Sequence, residues 1–354
     1  MPDPYTRLES ARELCAVGRP DRALSLLKRS VPVALEAERL LILGEALRGQ
    51  GYFGRAGAAY RSALKRVDRE DRDLAFDAWL GLARCSRSLG ATADARRSLA
   101  QARRIPGADR EILALEDALV LRAESRHRPA LKALLPMLAV ARRRRDWSAV
   151  GFLLWAIAGS RRFSGDLAGS HRDFKESLSS FRRGRDAEGE AYALFGLGGI
   201  ARVRGLFPEA RRAYLEAGKR LRKGPDLFGR AYAHCGLANC LRQMGLLGEA
   251  EKNYRASYKL YAGLDDRVDL AFVDWGLGQI HQRRGNLPQA ERHYRAALIA
   301  FSGGGEDRGL ILARKSLAEI LHARGRTPEA EKLFDSAVAL ARRAGLTAHL
   351  ESYT

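Results

Sequence analysis

Cysteine is scarce in this sequence. Cys15, Cys85, Cys235 and Cys240 are the four among 354 residues, and they form no CxxC pair and no Cys/His cluster at metal-ligand spacing. Neither a zinc site nor a disulfide framework is indicated, and a reducing cytoplasm is the expected home. Long apolar runs are missing as well. The most apolar short stretch, GFLLWAIAG at 151–159, is too short to span a bilayer, and the opening MPDPYTRLESARE lacks the apolar core of a signal peptide. A soluble chain with no membrane insertion is expected. Catalytic signatures are absent too: no HExxH, GxSxG or GxxxxGK[ST] occurs, and the seven histidines are scattered. The expectation is a protein that is not an enzyme and has no metal and no cofactor. His281 and His322 fall near one another in the repeat map described below, but histidines on helix surfaces are more often solvated than metal-bound.

What the sequence has in excess is positive charge. Sixty-two basic residues stand against 42 acidic ones, a net charge of +20, and the surplus is spread over both halves. This argues against a basic arm on a neutral body. Arginine-rich composition bias is one reading of the surplus; an acidic partner, whether peptide segment, nucleic acid or anionic membrane, is the other.

The chain also repeats itself. From an anchor at Gly285, glycines recur every 40 residues at Gly245, Gly205 and Gly165 behind it and Gly325 ahead. Five residues after each anchor stands a small residue (Ser170, Ala210, Ala250, Ala290, Ala330), and nine after it an aromatic (Phe174, Tyr214, Tyr254, Tyr294, Phe334). Eight before it lies Ile157, Leu197, Leu237, Leu277 or Leu317. Apolar residues fall at helical spacing on both sides of a glycine that breaks the pattern, so each unit is a helix pair. Weaker copies centre on Gly18, Gly51 and Gly90, with Ala23, Ala56 and Ala95 five later and Leu27, Tyr60 and Leu99 nine later. A degenerate fourth copy centres near Ser125, with Ala130 and Leu134; it carries Asp117 where the others have Leu or Ile.

Small residue, turn glycine, alanine and aromatic at these offsets resemble the tetratricopeptide repeat, a helix-turn-helix unit that stacks into a superhelix. The 40-residue period is similar to the long-helix variety of kinesin light chains and Pins-type G-protein-signalling modulators. The resemblance implies an all-α, right-handed superhelical solenoid of about nine repeats over 1–345, with a tail at 346–354. His234, Asp274 and Arg314 depart from it, standing where the family usually keeps an apolar or aromatic residue. Both ends look uncapped, so end-to-end self-association, a covering partner or excision from a longer protein are all open.

Two basic ladders run through the repeats. Seven residues after the anchor come Arg97, Lys132, Arg172, Arg212, Lys252, Arg292 and Lys332; Glu209, Glu249 and Glu329 stand three residues earlier, as on a solvated outer face. Three residues before the anchor come Arg48, Arg87, Arg122, Arg162, Arg202 and Arg242, continued by Gln282 and His322. Arg87, Arg122, Arg202 and Arg242 have no carboxylate three or four residues away, and Arg162 sees only Asp166 beyond the turn. Seven residues earlier again the row reads Trp155, Phe195, Cys235, Trp275. Large aromatics there are unexpected on a face that meets only water, unless neighbouring first helices bury them against each other.

In the family this face lines a concave groove for an extended peptide. The resemblance therefore implies a peptide-binding role for Trp155, Arg162, Phe195, Arg202, Asn239, Arg242, Trp275, Gln279 and Gln282. The expected function is a non-enzymatic protein-interaction scaffold that grips an acidic peptide or protein segment. A nucleic-acid-binding solenoid is the alternative, favoured by the net charge and by the four arginines at 142–145. A regulatory sensor for a signalling peptide is a third, with no effector domain visible in the sequence.

Overall fold

The computed structural model describes residues 3–68, 70–264, 266–304 and 306–346. These residues are helical throughout, with no strand among them. The helices come in consecutive antiparallel pairs: α1 (Pro4–Ala16) with α2 (Pro20–Leu27), α3 (Glu36–Gly49) with α4 (Phe53–Leu64), α5 (Arg72–Ser88) with α6 (Thr92–Arg103) and α7 (Arg110–Ala123) with α8 (His127–Arg144). There follow α9 (Trp147–Phe163) with α10 (Leu167–Arg183), α11 (Ala187–Val203) with α12 (Phe207–Leu221) and α13 (Leu227–Gln243) with α14 (Leu247–Leu264). The last pairs are α15 (Arg267–Arg283) with α16 (Leu287–Gly304) and α17 (Asp307–Ala323) with α18 (Thr327–Ala344).

Each pair is joined where the sequence places its anchor. All eight anchor glycines have positive φ, from +70° at Gly18 to +91° at Gly51, a conformation that only glycine adopts without steric cost. The turn closes on two backbone bonds: at the fifth pair, Gly165 N–H donates to the Arg162 carbonyl and Asp166 N–H to the Arg161 carbonyl, capping α9. The degenerate fourth unit obeys the same geometry, since Ser125 takes φ +59° and Arg126 N–H reaches back to Leu121. Its Asp117 turns outward to pair with Arg103.

The small residue after each turn sits where the two helices of a pair touch. Ala23, Ala56, Ala95, Ala130, Ser170, Ala210, Ala250 and Ala290 are all 0% exposed. Ser170 fits because its hydroxyl donates to the Ala158 carbonyl at 2.7 Å, so no buried polar atom is left unpaired.

The residue nine after the anchor joins successive pairs. It lies against the first helix of the following unit at a position nine before that unit's anchor, and the two positions co-vary in size except at Tyr294, which faces Ser316 and presses on Gly278 of its own pair. Tyr60 meets Gly81, Phe174 meets Gly196, Tyr214 meets Gly236 and Tyr254 meets Gly276, each so closely that a Cβ on the glycine would clash with the ring. Where the ninth residue is smaller, the facing position carries a side chain: Leu27 shares a core with Ile42, and Leu134 with Ala156. Phe334, in the last described pair, is 43% exposed.

The polar departures on the first helices are absorbed inside their own repeats. His234 Nδ1 lies 3.0 Å from Asn253 Oδ1, His293 Nδ1 lies 3.0 Å from Asp274 Oδ1, and Arg314 donates to the Ser336 carbonyl at 3.2 Å. Packing there is polar rather than loose.

The chain divides into two compact units. The first comprises Met1–Ile200 with Glu216–Gly229, and the second Ala201–Leu215 with Arg230–Thr354, so the division passes through α11, α12 and α13. Of the expected tail, Leu346 packs on the core of the second unit, and 347–354 lie outside the described residues.

Two substitutions test this packing. Ala250→Leu should overfill the contact between α13 and α14 and lower the unfolding free energy by about 1–3 kcal/mol in chemical denaturation. Gly196→Ala should cost a similar amount, roughly 1–3 kcal/mol, by colliding with Phe174. Adding Phe174→Leu should restore part of that loss, because the double variant recreates the Leu134/Ala156 arrangement; strictly additive losses would contradict the size pairing.

Candidate peptide-binding face

The arginine row three residues before each anchor lies on the first helices, and its partners depend on which residue stands nine after the anchor. Where that residue is tyrosine, its hydroxyl lies beside the polar residue that precedes the turn of the same unit. The Tyr60 hydroxyl neighbours Arg48 and that of Tyr214 neighbours Arg202, each favouring the charged guanidinium. Arg242 Nε reaches Tyr254 Oη at 3.3 Å, while its Nη1 reaches Gln279 Oε1 at 3.4 Å. Gln282 continues the rule: its amide oxygen accepts from Tyr294 Oη at 2.6 Å, and its nitrogen donates to Glu319 at 3.2 Å. Burial opposes the charge of Arg202, yet Tyr214, Tyr232 and Cys240 hold its pKa above the ordinary arginine value.

Where the ninth residue is not tyrosine, the row behaves differently. Arg87, in the unit with Leu99, turns to Glu116 at 3.3 Å; this glutamate is 3% exposed and also takes Arg84 at 2.7 Å. Arg122 and Arg162, in the units with Leu134 and Phe174, have no hydrogen-bond or ion-pair partner among the described residues. Asp166, the one carboxylate near Arg162 in sequence, caps α10 through Gly169 N–H at 2.8 Å and lies nearer Arg161. Arg122 rests over the Trp155 indole at 4.3 Å, and Arg162 over the Phe163 ring at 4.6 Å. Burial and the neighbouring guanidiniums of Arg87 and Arg162 pull the pKa of Arg122 down to about 10, which leaves it charged at neutral pH.

The aromatic row is mostly buried. Phe195 and Trp275 are 5% and 7% exposed, in line with the alternative that neighbouring first helices bury the row against each other. Trp155 is half-buried. In the first unit the rings form an edge-to-face chain, with Trp155 and Tyr192 centroids 6.1 Å apart and Tyr192 and Phe195 5.5 Å apart. In the second unit Trp275 Nε1 donates to Ser316 Oγ at 3.0 Å, and Gln279 donates to Tyr294 Oη at 2.9 Å. Asn239 Oδ1 accepts from Tyr254 Oη at 2.8 Å. Asn239 and Gln279, both in the implied peptide-binding set, thus already hold the polar network of the second unit, and Arg242, 2% exposed, is among its largest buried side chains.

The outer ladder is as solvated as expected: Arg97, Lys132, Arg172, Arg212, Lys252, Arg292 and Lys332 are all exposed. Its pairing differs in detail, since Arg97 joins Asp94 but Glu329 goes to Arg295 and Arg326. The 142–145 arginines end α8, where Arg142 pairs with Glu176 and Arg144 with Glu111. His281 stacks on His293 at 5.3 Å, and no group of residues suited to a metal ion occurs among the described residues.

Two family models, both described as tetratricopeptide repeat, match the sequence: one at 229–298 and 269–343, the other at 41–109 and 164–227. The chain belongs to the tetratricopeptide repeat family. Its repeats make it a protein-interaction scaffold by class. No curated protein matches the sequence. Among solved structures, a chain of the APC/C hetero-tetramer Cut9–Hcn1 is 14% identical with a TM-score of 0.57, covering 95% of this chain and 74% of that one. BtubC (BKLC) from P. vanneervenii is 19% identical with a TM-score of 0.50, covering 61% of this chain and 91% of that one. These likenesses are of fold. No described helix of this tetratricopeptide repeat chain is long and apolar enough to cross a membrane.

Arg122 is the residue that the sequence-derived selection omitted. The signal was present: an arginine before the anchor without a tyrosine nine residues after it. The burial contrast along the row is directly measurable. Arg242→Glu should bury an unpaired carboxylate and cost about 3–5 kcal/mol of stability, whereas Arg162→Glu should stay within about 0.5 kcal/mol in the same thermal or urea melts.

Proposed function

We propose that the chain is a non-enzymatic scaffold of the cytoplasm that holds an acidic peptide segment on the first-helix face of its first unit. The observation that carries this reading is the run of Arg87, Arg122 and Arg162 on three successive first helices, with one buried glutamate balancing the first and no acid balancing the other two. A guanidinium left without an acceptor beside an apolar surface is a charge that a carboxylate ligand would neutralise. Arg162, Trp155 and Phe195 keep their places in this reading, with Trp155 fixing Arg122 and Phe195 supporting the aromatic chain. In the second unit, Arg202, Asn239, Arg242, Trp275, Gln279 and Gln282 are assigned to the polar network that shapes the face, because each already has an internal partner or is buried. The four cysteines are free thiols, in keeping with a reducing compartment.

Beside the net charge, the exposed outer ladder favours nucleic acid instead, since phosphate binding sums over distributed charges and falls steeply with salt. Anisotropy titrations with a fluorescent Glu/Asp-rich peptide and with an oligo-dT strand, at about 150 mM salt, separate the two readings. The peptide should bind the wild type, lose at least about tenfold in affinity with Arg122→Glu/Arg162→Glu, and change little with Arg212→Glu/Lys252→Glu. Tight oligonucleotide binding impaired equally by both double variants would overturn the peptide reading.

A further inference from the structure

The row of arginines contains its own internal comparison. At Arg48, Arg87, Arg202 and Arg242 the protein supplies an acceptor: a tyrosine hydroxyl from the same unit or a buried glutamate from the next. At Arg122 and Arg162, in consecutive repeats, both positions that could supply one are apolar or bare: Leu134 and Ala156 for the first, Phe174 and Gly196 for the second. The two side chains are nevertheless held in place. Arg122 lies across Gly159, whose missing side chain makes room for it; a Cβ there would come 2.9 Å from Nη2. The Trp155 indole supports its plane, as Phe163 supports Arg162. A second observation adds to the first. His127, next to Arg122, stacks on Phe163 with ring centroids 5.3 Å apart, and its buried Nδ1 has no hydrogen-bond partner.

We propose that Arg122 and Arg162 form a subsite for a phosphomonoester group, carried by the segment that binds this face. This deepens the reading above and rests on it for the carrier, not for the phosphate itself. Charge selects the group. Two unpaired guanidiniums bring two positive charges and a fan of N–H donors, and a single carboxylate would leave half of them unanswered. A phosphomonoester brings about −1.5 to −2 charge and three acceptor oxygens, enough for both forks. Burial and the charge of Arg122 depress the pKa of His127, so near pH 7.5 its ring is neutral and adds no positive charge.

Calorimetric titration of the full chain at pH 7.5 and fixed ionic strength, with phenyl phosphate and benzoate as probes, tests the subsite. Phenyl phosphate should bind at least about tenfold more tightly than benzoate, and Arg122→Gln and Arg162→Gln should each weaken it by about tenfold. Gly159→Ala, which keeps every charge but displaces the Arg122 guanidinium, should weaken phenyl phosphate too, with melting curves confirming that all three variants fold. Equal affinity for benzoate, no phenyl phosphate binding, or binding unchanged in the variants would each overturn the subsite. A Glu/Asp-rich peptide with and without one phosphoserine, set against inorganic phosphate, identifies the carrier. Tighter binding of the phosphorylated peptide, lost in Arg122→Gln/Arg162→Gln, supports a peptide-borne phosphate; inorganic phosphate binding as tightly as that peptide overturns it. If neither peptide binds while phenyl phosphate does so through both arginines, the peptide reading fails and the subsite stands.

Discussion

The structure depends on one contact: the side chain nine residues past each turn, a ring in most units, pressed against the next first helix. An aromatic side chain can approach that closely only where the facing residue has no side chain, which is why Phe174, Tyr214 and Tyr254 look onto Gly196, Gly236 and Gly276. Interiors are packed to crystal density, so a ring and a methyl cannot share that volume. The contact therefore couples the size of a residue in one repeat to that of a residue in the next. It also decides what the tip of the ring can reach. When the ring is a tyrosine, its hydroxyl arrives beside the arginine that precedes the turn of its own unit, so a packing contact becomes a polar one.

This link between packing and charge is what distinguishes one arginine in the row from another. Arg202 has the Tyr214 hydroxyl beside it, Arg242 is bonded to that of Tyr254, and Arg87 pairs with Glu116; Arg122 and Arg162 have aromatic rings beneath them and no acceptor. The row looks uniform in sequence because the acceptor lies twelve residues away across a turn, or on another repeat. A search limited to neighbours on the same helix misses both.

The fold was legible because it rests on local and periodic signals. Each anchor glycine marks a left-handed backbone conformation, each small residue marks a helix crossing, and even Ser125 was found from spacing alone. The candidate site was legible only as a face. Trp275 and Phe195 fell on the expected side of their helices, but whether that side meets solvent depends on how adjacent first helices close together, a non-local matter. Asn239 and Gln279 were expected to wait for a ligand, yet the tyrosine hydroxyls of neighbouring second helices occupy them. The His234, Asp274 and Arg314 departures point the same way: a polar residue inside a repeat is explained by what stands opposite it across the pair.

The size pairing bears on how such a chain can be cut and rejoined. A repeat excised as its own helix pair, cut between a second helix and the next first helix, separates each ring from the glycine that accommodates it, and carries away half of two different fits. The segment that keeps its fit intact is staggered: a second helix together with the first helix that follows it. Between the third and fourth units the charges are staggered as well, for Arg96 on the second helix holds Glu124 on the next first helix, whereas at the corresponding positions later in the chain Glu251 holds Arg284 and Glu291 holds Arg324. A unit moved past that point would meet a neighbour of like charge. The order of the repeats is thus written into their joints, and the array behaves as a keyed sequence rather than a string of interchangeable beads.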